Sequence, residues 1–138
     1  MRIILDTNVI SEEMKPTPDP VMHRWLQRQP LATIYTTAVS LAELMQGIAV
    51  LPDGRRKQDL QVAARRVLGL LPQRILPFDE TAAVEFAEIV AERRRLGVPM
   101  GTMDAQIAGI ARSRGMAVAT RDAGDFANSG VTIINPWI

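Results

Sequence analysis

Ile3-Ile4-Leu5-Asp6-Thr7-Asn8 is the stretch whose reading decides the fold. Residues 2–5, three of them aliphatic, predict a short buried strand that stops at a polar break. A helix should then begin at Asp6 or Thr7 and stop before the turn Lys15-Pro16-Thr17-Pro18-Asp19-Pro20. The strand-then-helix pattern repeats along the chain. Pro20 suits a helical first turn, and the helix to about Gln29 carries Val21, Trp25 and Leu26 as its apolar side, with His23 off that stripe as a surface residue. Thr33 to Thr36 is β-branched and aromatic, a second strand, and Thr37 can cap a helix to about Leu51 with Leu41, Leu44, Met45 and Ile48 as its core stripe. Arg55 to Leu71 is a long helix bearing Leu60, Ala64, Val67, Leu68 and Leu71, and Ile75-Leu76 is a brief strand. Asp79 caps a helix from Glu80 to Leu96, with acids early and arginines late as the helix dipole prefers. A helix from Thr102 to Arg114, a strand from Met116 to Thr120 and a last strand from Val131 to Ile134 complete the series. Alternation of this kind predicts an α/β sandwich with a central, mainly parallel sheet flanked by helices, and five short strands are too few for a closed eight-fold barrel.

Four acids stand where a lone carboxylate is hard to explain: Asp6 after the first strand, Glu43 in the helix Ser40-Leu41-Ala42-Glu43-Leu44, Asp104 at the start of its helix, and Asp122 after Val118-Ala119-Thr120. In a parallel sheet, sites form beyond the carboxyl ends of the strands, and Asp6 and Asp122 both lie at such ends. Each acid has a plainer reading. Asp6 is a good N-cap, Asp122 is a common turn residue beside a rival, Asp125, and Glu43 lies opposite its helix's apolar stripe. Asp104 shares the stripe of Ile107, Ala108 and Ala111, so it is either an inward-facing cap or the wall of a polar pocket. If the fold gathers the four, their like charges would raise one another's pKa values. A hard cation with oxygen ligands, Mg²⁺ or Mn²⁺, would relieve that conflict and points to phosphodiester chemistry.

Composition narrows the field. With 138 residues, 47% of them hydrophobic, the chain is expected to form one domain over 1–138 with a substantial core. No apolar run approaches a membrane span and the N-terminus lacks a signal-peptide pattern, so a cytoplasmic location without membrane attachment is expected. Cysteine is absent and His23 is the only histidine, which excludes a thiolate site and a histidine-built zinc site. The net charge of +1 excludes a globally basic nucleic-acid binder. Arg55-Arg56-Lys57, Arg65-Arg66 and Arg93-Arg94-Arg95 read as solvated helix faces that could also meet phosphate.

In ordered combination these segments resemble the PIN-domain ribonuclease family, specifically VapC-type toxins of bacterial toxin–antitoxin pairs. Leu5-Asp6-Thr7-Asn8-Val9-Ile10-Ser11-Glu12 resembles the family's opening, Ser40-Leu41-Ala42-Glu43-Leu44 its second motif and Thr102-Met103-Asp104-Ala105-Gln106-Ile107-Ala108 its third. Ala119-Thr120-Arg121-Asp122 through Phe126 resembles the fourth, and Asn135-Pro136-Trp137 a common ending. The segment Ile75-Leu76-Pro77-Phe78-Asp79 and that ending place the resemblance nearest the FitB branch. Many relatives carry Asn where Asp122 stands and an acid at the position of Asp125. Both are acidic here, and the FitB-like branch favours Asp122.

The resemblance implies a PIN-like three-layer sandwich and a metal-dependent endoribonuclease. Asp6, Glu43, Asp104 and Asp122 would hold one or two Mg²⁺ or Mn²⁺ ions that activate a water against an RNA phosphodiester, leaving a 5′-phosphate and a 3′-hydroxyl. Thr7, Asn8, Thr120 and Asp125 would lie just outside those ligands. It further implies a homodimer inhibited by a cognate antitoxin, and operator DNA met only through that antitoxin. The alternative is a catalytically inactive PIN-fold module that binds an antitoxin and acts in operator regulation. A phosphotransfer receiver fits poorly, because it needs a lysine near the site and Lys15 and Lys57 are poorly placed for it. A haloacid-type phosphatase would want an aspartate where Asn8 stands.

Overall fold

Strand β1 (Ile3–Leu5) is the middle of a five-stranded, all-parallel sheet in the computed structural model, which describes residues 1–138. The chain continues through α1 (Thr7–Glu13), α2 (Pro20–Arg28), β2 (Ile34–Thr37), α3 (Ala38–Ala49), α4 (Arg55–Leu68), β3 (Ile75–Leu76), α5 (Glu80–Arg95), α6 (Thr102–Arg114), β4 (Ala117–Ala119) and β5 (Ile133–Ile134). The strand order is β3-β2-β1-β4-β5. The chain moves outward from β1 through β2 to β3, then returns to lay β4 on the other side of β1, with Ile3, Ile4 and Leu5 opposite Ala117, Val118 and Ala119. Reversal of strand order between β1 and β4 opens a crevice at their carboxyl ends, the general ligand position in open parallel sheets.

The period-two alternation of a strand builds the three layers from β1 itself. Ile3 and Leu5 enter one core with Val9, Ile10, Met22 and Leu44, beneath α1 to α4, whereas Ile4 enters a second core with Ile89, Ile107, Ile110 and Phe126, beneath α5 and α6. Covered on both faces, β1 has no polar position to spare, which is why its residues are consecutively aliphatic. The expected α/β sandwich is the observed architecture.

Local rules explain most element ends. The Asp6 side chain accepts from Thr7 N, Asp19 from Val21 N and Met22 N, Thr37 from Ser40 N and Asp79 from Ala82 N, so four helices start on side-chain caps worth about 1 kcal/mol each. Gly115 ends α6 at φ 63°, a left-handed position that a Cβ would strain. Three expectations are corrected. In α2 the fully buried residue is Met22, while Val21 is 42% exposed; the inward stripe is Met22, Trp25 and Leu26, at i, i+3 and i+4. In α3, Met45 is exposed and the buried stripe narrows to Ser40, Leu44 and Ile48, because only one side of that helix meets the sheet.

The third correction concerns Arg93, which is not on a solvated face. It is buried, and its guanidinium donates to the carbonyls of Val98 (2.5 Å), Asp125 (3.0 Å) and Ala127 (2.6 Å). One side chain thereby joins the loop leading into α6 to the turn that follows β4.

Helices α5 and α6 approach closely at Gly109. A Cβ there would stand 2.7 Å from the Ala82 carbonyl oxygen and 3.0 Å from Phe86 N, both backbone atoms that cannot rotate aside. Alanine is the better helix former by about 1 kcal/mol, but the clash outweighs that gain. Gly109→Ala is expected to lose about 1–3 kcal/mol of stability, read from the urea midpoint. An unchanged midpoint would show that the helix pair has slack there.

Candidate active site

The crevice between β1 and β4 is a pocket of about 490 Å³ whose walls include Asp6, Glu43, Asp104 and Asp122. The four acids singled out in the sequence therefore line one pocket. Each arrives on a different element: Asp6 ends β1, Glu43 lies on α3, Asp104 opens α6 and Asp122 follows β4. Glu43 is solvent-exposed at its helix, as its position off the apolar stripe predicts, yet still faces the pocket. Asp104 is the wall of a polar pocket, and no cap hydrogen bond forms at the start of α6. Asp125 does not line the pocket, although its charge is close enough to act on Asp104.

Thr120 is the hub of the hydrogen bonding. Its buried hydroxyl donates to Asp6 Oδ2 at 2.8 Å and accepts from Asp122 N and from Asn8 Nδ2, each at 3.1 Å. Asn8 Nδ2 also lies 3.1 Å from Asp122 Oδ2, while Asn8 Oδ1 accepts from Arg121 N at 3.3 Å. Thr7 N donates to Asp6 Oδ1 at 2.8 Å. Of the four residues expected beside the acids, Thr7, Asn8 and Thr120 hydrogen-bond to Asp6 or Asp122, whereas Asp125 lies outside the pocket.

Two of the carboxylates, Asp6 and Asp104, are shifted by their surroundings. Burial pushes Asp6 above the ordinary range; hydrogen bonds from Thr120 and Thr7 oppose that shift, and the charges of Glu43 and Asp122 reinforce it. Asp104 is pushed up to about 6, first by burial and then by the charges of Asp6, Asp125, Glu43 and Asp122. No three acidic side chains converge tightly enough to make a finished ligand cage in the chain alone. The shared pocket and the mutual pKa effects nevertheless place the four within electrostatic reach of one another. The donors fit a hard cation: they are oxygens without a histidine or thiolate, and Thr7 Oγ1 is a buried wall atom without a hydrogen-bond partner.

Several wall residues went unread in the sequence. Ser11, Glu12 and Lys15 line the pocket, and with Asn8 they fall at i, i+3, i+4 and i+7, a spacing that could have found them. Lys15 is therefore not remote: its Nζ is 3.1 Å from the buried Glu12 Oε1. Arg121 and Trp137, the latter from the chain's last residues, complete the rim. His23 pairs instead with Glu13, 2.9 Å away, outside the pocket.

Residues 3–130 match the family described as PIN domain. The chain belongs to the PIN-domain family. VapC ribonuclease Y4jK of Sinorhizobium fredii is 41% identical over 136 residues, which cover 98% of this chain and 97% of that protein. Toxin FitB of Neisseria gonorrhoeae is 39% identical over 136 residues, 98% of each chain. A solved structure of FitAB bound to an IR36 DNA fragment superposes with a TM-score of 0.88 at 38% identity, covering 99% of this chain and 96% of that one. The resemblance to VapC and FitB toxins read from the motifs thus holds over nearly the whole length, and the chain is a PIN-domain nuclease of that toxin group. No helix of this PIN domain is long and apolar enough to cross a membrane.

The raised Asp104 carboxyl has a consequence for stability. The folded chain keeps that proton up to about pH 6, whereas the unfolded chain releases it near the ordinary 3.8. Between those values the native state binds more protons, so stability falls as pH rises. Asp104→Asn is expected to match the parent at pH 4 and to exceed it by about 1–2 kcal/mol at pH 7.5 in EDTA, allowing for partial solvent screening. Urea unfolding at the two pH values checks this, and equal stability at pH 7.5 would remove the claim that Asp104 is strained.

Proposed function

We propose that this chain is the toxin of a toxin–antitoxin pair and an endoribonuclease whose divalent cation, Mg²⁺ or Mn²⁺ as one or two ions, is held by Asp6, Glu43, Asp104 and Asp122. The observation that carries the reading is that these four acids line one pocket at the β1/β4 crevice, where burial and the charges of the others push Asp6 and Asp104 up. A bound cation supplies positive charge to the attacked phosphate and makes an attacking water more acidic.

The chain's own part is positioning. Asp6 is fixed by Thr7 N and the Thr120 hydroxyl, and Asn8 with Thr120 fixes Asp122. Because Asp122 lines the pocket and Asp125 does not, Asp122 is the fourth ligand in this reading and Asp125 an outer charge acting on Asp104.

RNA as substrate rests on the relatives, among them VapC ribonuclease Y4jK and a tRNA(fMet)-specific endonuclease VapC of Shigella flexneri. A cognate antitoxin partner, and operator DNA reached through it, rest on the FitAB complex bound to DNA. Exposed Met45, Val50 and Val62 on and beside α3 and α4 provide apolar surface for the antitoxin or for a homodimer. Residues 1–138 act in this reading as a single PIN domain. The alternative of an inactive antitoxin-binding module gains nothing from the site, since all four acids are present and share the pocket.

The deciding experiment incubates partner-free protein with a mixed RNA pool in Mg²⁺, Mn²⁺ or EDTA, beside Asp6→Asn. Cleavage should need the cation and fall by roughly two orders of magnitude or more in the variant, which should keep its fold by circular dichroism. Cation-independent cleavage, or full turnover by Asp6→Asn, would refute the assignment. Binding of Mn²⁺ without cleavage of any RNA would favour the inactive module.

A further inference from the structure

A pocket walled by carboxylates repels a polyanion, so some cation at its rim has to meet the nucleic-acid backbone. Of the eleven residues lining the pocket, Lys15 and Arg121 are the cations and Trp137 is the one hydrophobic residue. Lys15 is already committed, with its Nζ 3.1 Å from Glu12 Oε1. Arg121 is not. It is solvent-exposed and adjacent to Asp122, yet its guanidinium forms no ion pair; its Cζ instead stands 5.3 Å from the centroid of the Trp137 ring.

Coulomb attraction alone would draw this guanidinium onto one of the neighbouring carboxylates. Cation–π attraction to the indole face offers it a partner away from them and leaves its N–H donors unspent. Both members of the pair are anchored from behind. Arg121 N donates to Asn8 Oδ1 at 3.3 Å, in the same network that holds Asp122. Trp137 N donates to Asn135 Oδ1 at 3.0 Å, and the indole packs against the core beneath α1 to α4. The last residues of the chain are thereby brought to the mouth of the site.

Resting on the ribonuclease reading above, we propose that Arg121 and Trp137 form a phosphate-binding shelf that grips the RNA backbone beside the cleaved bond. Arg121 is the contact residue, and Trp137 is a positioning residue that presents its guanidinium. The shelf serves binding: it holds substrate at the pocket mouth and leaves cation affinity to the acids.

The test compares the partner-free full chain with Arg121→Gln, Arg121→Lys and Trp137→Phe. It measures KM and kcat for RNA cleavage in Mg²⁺, Mn²⁺ affinity by calorimetry, and the salt dependence of RNA binding. Arg121→Gln should raise KM about tenfold, the loss expected for one charge-assisted hydrogen bond, with kcat within about twofold. Its Mn²⁺ affinity should not change, and its slope of log binding constant against log salt should be shallower by about 0.7, one phosphate contact on a single strand. Arg121→Lys should recover the slope but only part of the affinity, and Trp137→Phe should fall between the parent and Arg121→Gln.

An unchanged KM and slope in Arg121→Gln would overturn the shelf. So would a parallel loss of kcat and Mn²⁺ affinity at constant KM, which would make Arg121 a strut for Asp122. A parent protein that binds RNA with the expected slope difference but never cuts it would refute the ribonuclease reading and leave the shelf standing. A parent that binds no RNA would refute both.

Discussion

The hydrogen bond from the Thr120 hydroxyl to the Asp6 carboxylate, 2.8 Å long and buried, is the contact on which the site depends. It joins the residue after β1 to the residue after β4 across the point where strand order reverses. A buried carboxylate is costly unless its oxygens are hydrogen-bonded. Here one oxygen accepts from Thr7 N and the other from Thr120, so Asp6 can stay inside without a cationic side chain beside it. The same hydroxyl accepts from Asp122 N and Asn8, which makes Asp6, Asn8, Thr120 and Asp122 one connected unit rather than four separate placements. Such networks stiffen a site when every member is satisfied.

Around that unit the acids divide by environment. Asp6 is buried and braced, Asp104 is desolvated and pushed up to about 6, and Glu43 and Asp122 reach the pocket from exposed positions. A graded set of this kind suits a cation that must be held by some oxygens while leaving others free for water or substrate. The two elements that carry Asp104 and Asp122 are not left to find each other. Arg93 fastens the loop before α6 to the turn after β4 through three carbonyls, and Gly109 lets α6 settle directly against α5. The segments that carry Asp104 and Asp122 are thus tied by packing outside the pocket.

VapC and FitB relatives match over nearly the full chain, which places the protein within that toxin group of the PIN-domain family. Fold alone would not carry a function, since similar sheets host unrelated activities. In the proposed reading the ordered acids at the switch point do so, and the rim residues Arg121 and Trp137 would give that site a means of meeting a polyanion that its walls would otherwise repel.

Much of the molecule was determined by the sequence itself. Ile3-Ile4-Leu5 has no polar position and so had to be a covered strand; Asp6, Asp19, Thr37 and Asp79 are short acceptors before helical runs and so had to cap them. Those are local rules, acting within a few residues; Asp6, Glu43, Asp104 and Asp122 are only suggestive one by one, and the ordered motifs that resemble the PIN family make the set specific. Only the tertiary structure decided what those acids meet. Lys15 and Trp137 join a pocket built from β1, α3, α6 and the turn after β4, and Arg93 leaves the charged run of α5 to serve two distant loops. Met22 rather than Val21 turns inward because the core it shares with Ile3, Leu5 and Ile34 lies on that side of α2. Local sequence sets the period of a helix; which residues on that period face a partner depends on where the chain, a hundred residues away, comes back to pack.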